Sequence, residues 1–117
     1  MTAFRWLYLL PLAVTAVSSE AAQITIDIRI ENGRVPQSQR VIRVKQGDEV
    51  QLRWSSDRPL SLHLHGYEIE TRVTPGAAAA MSFTARATGR FPIHVHAEGS
   101  SHLHDEQPLV RIEVYPR

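Results

Sequence analysis

The chain has no cysteine. That excludes disulfide stapling, thiolate nucleophiles and thiolate ligation of a metal. Charge of one sign is missing too, since 13 Lys+Arg stand against 12 Asp+Glu with no run of either. A basic stripe for nucleic acid and a polybasic patch for a membrane surface are therefore absent, and neither partner is expected. Methionine is confined to Met1 and Met81, so thioether ligands are scarce as well. No apolar run reaches the roughly 20 residues that cross a bilayer. Patterns for a catalytic triad, a glycine-rich phosphate loop or paired acid/base carboxylates are lacking, and the chain is read as a non-enzyme.

What is present begins with an export pattern. Arg5 precedes an uncharged apolar run over residues 6–17, and small and polar residues follow through Ala22. This is the order of a secretory signal peptide, and Ser19-Glu20-Ala21 supplies the small residues that precede a cleavage point after Ala21 or Ala22. The organisation expected is a leader over residues 1–21 and one domain over residues 22–117, in the periplasm or otherwise secreted, with no membrane insertion of the mature chain. Fewer than 100 mature residues make a single compact domain. Without disulfides its stability must come from the core, helped by any bound metal.

Beyond the leader the apolar period is two. Ile24, Ile26, Ile28 and Ile30 alternate with Thr25, Asp27 and Arg29, which predicts a strand with one buried face that ends at Asn32-Gly33. Further strands are expected over residues 41–44, through Val50, Leu52 and Trp54, and through Leu60, Leu62 and Leu64. Met81, Phe83 and Ala85, then Phe91, Ile93 and Val95, then Val110, Ile112 and Val114 continue the alternation. Gln46-Gly47-Asp48, Pro59, Pro75-Gly76 and Gly89 supply turns between them. The alanines of residues 77–80 are too few to nucleate a helix alone, and residues 97–108 read as a polar loop. Seven or eight short strands of this kind predict an all-β, antiparallel sandwich.

The chemistry lies in six histidines that fall into three His-x-His pairs: His63-Leu64-His65, His94-Val95-His96 and His102-Leu103-His104. Alternate residues of a strand project from the same face, so each of the first two pairs can set two imidazoles side by side as a chelate. Neutral imidazole suits copper, zinc and nickel, and Cu(II) has the highest intrinsic affinity of the three. A lone surface histidine is ordinarily solvated or bonded to backbone. Three repeated pairs are what points to a metal.

Several stretches then resemble the cupredoxin family of small copper proteins. They are residues 41–50, the segment His65-Gly66-Tyr67, the turn Thr74-Pro75-Gly76, and Gly89-Arg90-Phe91 leading into a late strand. The resemblance covers most of residues 23–117 and implies a Greek-key sandwich. It also implies a first copper-ligating histidine at the end of a middle strand, where this chain has His65. The remaining ligands would come from the end of the penultimate strand and the following loop, where His94, His96, His102 and His104 stand. The spacing of His96 and His104 is similar to that between the family's thiolate ligand and a later loop ligand.

The departure is equally informative, because blue-copper members need a cysteine thiolate and this chain has Val95 or His96 in its place. Met81 stands in an expected strand rather than in the ligand loop, so the axial thioether is missing too. The remaining donor set is all nitrogen, which favours Cu(II) over Cu(I) and a tetragonal, pale site unsuited to electron transfer. Asp105 and Glu106 adjoin the last pair, where they read as solvated acids that could also contribute an oxygen ligand or orient an imidazole.

The side on which the histidines point is set by parity. Leu60, Leu62 and Leu64 facing the core put His63 and His65 on the outer face, and Phe91, Ile93 and Val95 do the same for His94 and His96. A bulge near Gly66 or Pro92 would re-aim one of each pair toward the rim, leaving two geometries open. His65, His96 and His104 rank first as ligands, followed by His63, His94 and His102. The expected function is copper storage, delivery or tolerance, with the metal ion and another periplasmic or membrane copper protein as partners. Two alternatives stand beside it. One is a metal-free interaction module on the same fold. The other is a copper enzyme of the superoxide dismutase kind, which residues 91–96 resemble slightly but whose disulfide cysteines and zinc loop have no counterpart here.

Export generates a direct expectation. The protein recovered from its final compartment begins at Ala22 or Gln23 by intact-mass measurement; a chain still starting at Met1 there contradicts removal of the leader.

Overall fold

The computed structural model describes residues 2–15, 21–97 and 107–117. Ser19, Glu20, His102, His104, Asp105 and Glu106 lie outside the described residues. Residues 2–15 form no regular secondary structure and leave Phe4, Trp6, Leu7 and Leu12 exposed. Among the described residues no helix is long and apolar enough to cross a membrane.

From residue 23 the described residues form eight strands. They are β1 (Gln23–Ile30), β2 (Val41–Lys45), β3 (Glu49–Ser56), β4 (Leu60–Leu64), β5 (Ile69–Val73), β6 (Ala79–Thr84), β7 (Gly89–Ala97) and β8 (Val110–Tyr115). One 3-10 turn, Gln37–Gln39, precedes β2. Two sheets result, one in the order β1-β3-β6 and the other β2-β8-β7-β4-β5. Five of the seven connections cross between the sheets, and only β4–β5 and β7–β8 stay within one, as in a Greek-key sandwich. Asn32 and Gly33 both take positive φ, 52° and 74°, which is the backbone a two-residue Asn-Gly turn requires.

Burial follows the period of two. Ile28, Ile30, Leu52, Trp54 and Met81 from the first sheet meet Leu60, Leu62, Leu64, Val73, Ile93 and Ile112 from the second, all fully buried. Each such side chain contributes about 1.5–3 kcal/mol on leaving water, which is how a domain without disulfides holds together. Ile24, Ile26, Phe91 and Val95 are only half-buried, packed against the margin of this core.

The sheets are mixed rather than wholly antiparallel. β3–β6, β4–β5, β4–β7 and β7–β8 are antiparallel, whereas β1 runs parallel to β3 and β2 parallel to β8. Alternation reports which face a residue takes and carries no record of strand direction, so the parallel pairs leave no mark in the pattern. β5 is the strand the apolar alternation passed over, because Ile69 and Thr71 are half-buried and only Val73 is fully enclosed.

The turn after β4 is locked by one close approach. Gly66 has φ of 90°, and a Cβ built there lies 2.6 Å from Cδ1 of Phe91. Tyr67 packs between Phe83 and Phe91, with ring centroids 4.9 and 5.0 Å away, so the turn is pinned to both sheets. Gly66→Ala is expected to cost about 1–3 kcal/mol, from left-handed backbone plus displacement of the Phe91 ring. Denaturant unfolding of a double-mutant cycle tests this: the cost shrinks in a Phe91→Ala background, and equal costs in both backgrounds contradict the contact.

Candidate metal centre

β4 pairs with β7 without interruption, Leu60 opposite Ala97 and Leu64 opposite Ile93. The amide of His65 then donates to the carbonyl of Pro92 at 3.0 Å, carrying the pairing one residue past the end of β4. No bulge breaks this register at Pro92 or Gly66, so parity alone decides where the imidazoles go. Leu62, Leu64 and Ile93 are fully buried, and His63, His65, His94 and His96 stand on the outer face of the five-stranded sheet. His63 and His94 are half-buried, while His65 and His96 are exposed.

These four imidazoles are contiguous. His63 lies directly across from His94 in the ladder, with Ser61 across from His96. Ring centroids are 4.2 Å apart for His63 and His65, 4.9 Å for His65 and His94, and 6.3 Å for His63 and His96. Nδ1 of His63 faces Nε2 of His65 at 3.3 Å. Two nitrogens bonded to one metal at about 2.0–2.1 Å are about 2.8 Å apart at a right angle and about 3.3–3.4 Å apart at a tetrahedral one. The His63–His65 pair thus stands at the wider, tetrahedral spacing, and a small rotation of the exposed His65 ring closes it toward the about 2.8 Å of a tetragonal ion; His94 adjoins it. His96 stands further out. Among the described residues, however, no three His, Asp or Glu side chains are preset as a metal cage. A third ligand has to come by rotation of a neighbouring ring, His94 or His96, or from residues 98–106.

Two carboxylates flank the pair and escape the sequence reading. Glu68 places Oε2 3.4 Å from Nε2 of His63. A carboxylate on one ring nitrogen fixes the tautomer and turns the other nitrogen outward, here Nδ1 toward His65. Glu68 reaches this position from a left-handed backbone, φ 54°, which is uncommon for any residue but glycine and asparagine. Nothing in the sequence marks it. Glu70 is the ladder partner of His63 on the side away from His94 and is exposed. Treating residues 69–73 as a strand would have placed it on the histidine face by parity.

Elsewhere on the same face Glu113, paired with Arg43 at 3.2 Å and Arg90 at 3.8 Å, is neutralised by its own partners. The Arg86 guanidinium stands 5.8 Å from the centroid of the Tyr67 ring, a cation–π contact that steadies the turn bearing Glu68.

The sequence matches no protein-family model and no curated protein. Solved structures do match in fold. A chain of a heme-copper terminal oxidase dimer, determined by cryo-electron microscopy, is similar with a TM-score of 0.62 at 16% identity over 92% of this chain and 80% of that one. The crystal structure of the blue copper oxidase of Nitrosomonas europaea is similar with a TM-score of 0.60 at 17% identity, over 82% of this chain and 39% of that one. The chain thus spans well under half the length of the second. Identities this low bear on fold alone, and the fold they share with the present sandwich of two mixed sheets is cupredoxin-like.

Proposed function

We propose that the chain is an exported copper-binding protein that holds Cu(II) through imidazole nitrogen, for storage, delivery or tolerance of the metal. The observation that carries this reading is the 3.3 Å approach of His63 Nδ1 to His65 Nε2, with the His94 ring beside them. Its donor set contains nitrogen and carboxylate oxygen and no sulfur, which suits Cu(II), with zinc and nickel as weaker competitors. The two fold neighbours, one a heme-copper oxidase and the other a blue copper oxidase, support copper as the metal. Location on the outer face of a sheet, with His65 and His96 exposed, favours uptake and release over burial of a permanent cofactor. A second copper protein of the same compartment is the partner such exchange requires.

In this reading His63 and His65 are the first two ligands and His94 the third, with His96 and the His102-Leu103-His104 pair as further candidates. Glu68 positions His63. Electron transfer does not follow, because the thiolate that gives fast copper redox sites is absent.

Protons and copper compete for the same nitrogens, and free imidazole titrates near about 6.5, so binding weakens as pH falls through that range. An ion held only by the folded chain stabilises it by about 2.7 kcal/mol at a free concentration one hundred times its dissociation constant. Stoichiometric copper should therefore raise the melting temperature at pH 7.5 and lose that increment by about pH 5. His63→Gln with His65→Gln abolishes the increment, and His94→Gln reduces it. Replacing His102 and His104 by Gln measures what residues 98–106 add. An undiminished increment in the His63, His65 double variant contradicts the assignment, and no increment in the parent favours the metal-free interaction module.

A further inference from the structure

The start of β1 and the turn before β3 meet at a buried carboxylate. Asp48 is 3% exposed and closes the turn Gln46-Gly47-Asp48, its Oδ2 accepting the amide of Lys45 at 2.9 Å. Its Oδ1 accepts the backbone N–H of Ala22 at 3.1 Å and is also met by Nη2 of Arg117. The chain is held there from the other side too, since the carbonyl of Ala22 accepts the amide of Glu49 at 2.9 Å. Burial disfavours the charged form of Asp48, but the amides of Lys45 and Ala22 and the Arg117 guanidinium outweigh it and hold the carboxyl below its ordinary range. Asp48 is thus a buried anion at neutral pH whose ligands include the nitrogen of one particular residue, Ala22.

That nitrogen is the one freed by cleavage after Ala21. In the uncut chain it is an amide with one hydrogen and no charge. Hydrolysis by a signal-peptidase-type endopeptidase adds water across the Ala21–Ala22 bond: the C–N bond breaks, oxygen stays on Ala21 as its carboxylate, and nitrogen leaves as the α-ammonium of Ala22. We propose that this cut completes the fold as well as releasing the leader, because it places a positive α-ammonium against the buried carboxylate of Asp48. A charge-assisted hydrogen bond is roughly twice as strong as a neutral one, so the processed chain is more stable than one carrying anything on that nitrogen. Cleavage one residue later removes Ala22 and leaves Oδ1 of Asp48 without this donor. The alternatives the sequence leaves open are thereby separated, and the processing point is assigned to the Ala21–Ala22 bond. The inference rests on export with removal of the leader and is independent of copper.

Selective acetylation tests it, because acetylation keeps a hydrogen on the Ala22 nitrogen and removes the charge. Lys45 is the chain's one lysine, and in Lys45→Arg the α-amine is the sole amine left to acetylate. The full-length precursor of this variant is expressed with export, the product is weighed, and its melting temperature is measured metal-free at neutral pH before and after acetylation. A mass starting at Ala22, with a fall on the order of 4 °C or more on acetylation, is the expected result. In an Asp48→Asn background the fall disappears; if that variant does not fold, the acetylated and free forms of the Asp48 protein decide the point. A chain that retains its leader overturns the export reading. A product starting at Gln23 overturns the assigned bond, and an Ala22 product with an unchanged melting temperature overturns the ion pair while leaving export intact.

Discussion

Everything at the candidate site depends on the register in which β4 pairs with β7. Leu62 opposite Val95 and His63 opposite His94 is the arrangement that sends Leu60, Leu62, Leu64 and Ile93 into the core. A slip by one residue would bury imidazoles and expose leucines, so hydrophobic burial selects the histidine cluster without any metal being present. The bond from the His65 amide to the Pro92 carbonyl and the Gly66–Phe91 approach then fix the end of the hairpin, where the His63–His65 pair opens to solvent. The geometry of the pair is inherited from core packing.

Much of this is legible from residue order because a period of two states both the element and its face. β1–β4 and β6–β8 follow from runs such as Leu60, Leu62, Leu64 and Val110, Ile112, Val114, and the same parity places the first two histidine pairs outside. Other features escape for physical reasons. β5 hides because its alternating residues pack only partly, and the parallel β1–β3 and β2–β8 pairs hide because alternation is silent about direction. Glu68 on His63 depends on a left-handed backbone that its residue type does not announce. Asp48 reads as turn chemistry, yet its partners Ala22 and Arg117 lie 26 and 69 residues away. Contacts at such separation are properties of the closed sandwich.

A donor set of outer-face imidazoles without any cysteine limits what a copper bound there, as proposed, would do. Nitrogen and oxygen donors stabilise Cu(II) and raise the cost of changing its oxidation state, and solvent-exposed imidazoles exchange their ion readily. The proposed carriage of the metal suits such a donor set better than passage of electrons would. Glu68, 3.4 Å from Nε2 of His63, favours one tautomer of that ring, which would reduce the ordering that the proposed metal must impose on binding.

The most direct measurement is pulsed electron paramagnetic resonance of the protein carrying one equivalent of Cu(II), with histidine labelled by nitrogen-15. A tetragonal signal modulated by at least two imidazole nitrogens, lost when His63 and His65 are both glutamine and without an intense visible absorption band, is what the structure predicts. A signal of hydrated Cu(II) without imidazole coupling, or one unchanged by the two substitutions, would contradict it.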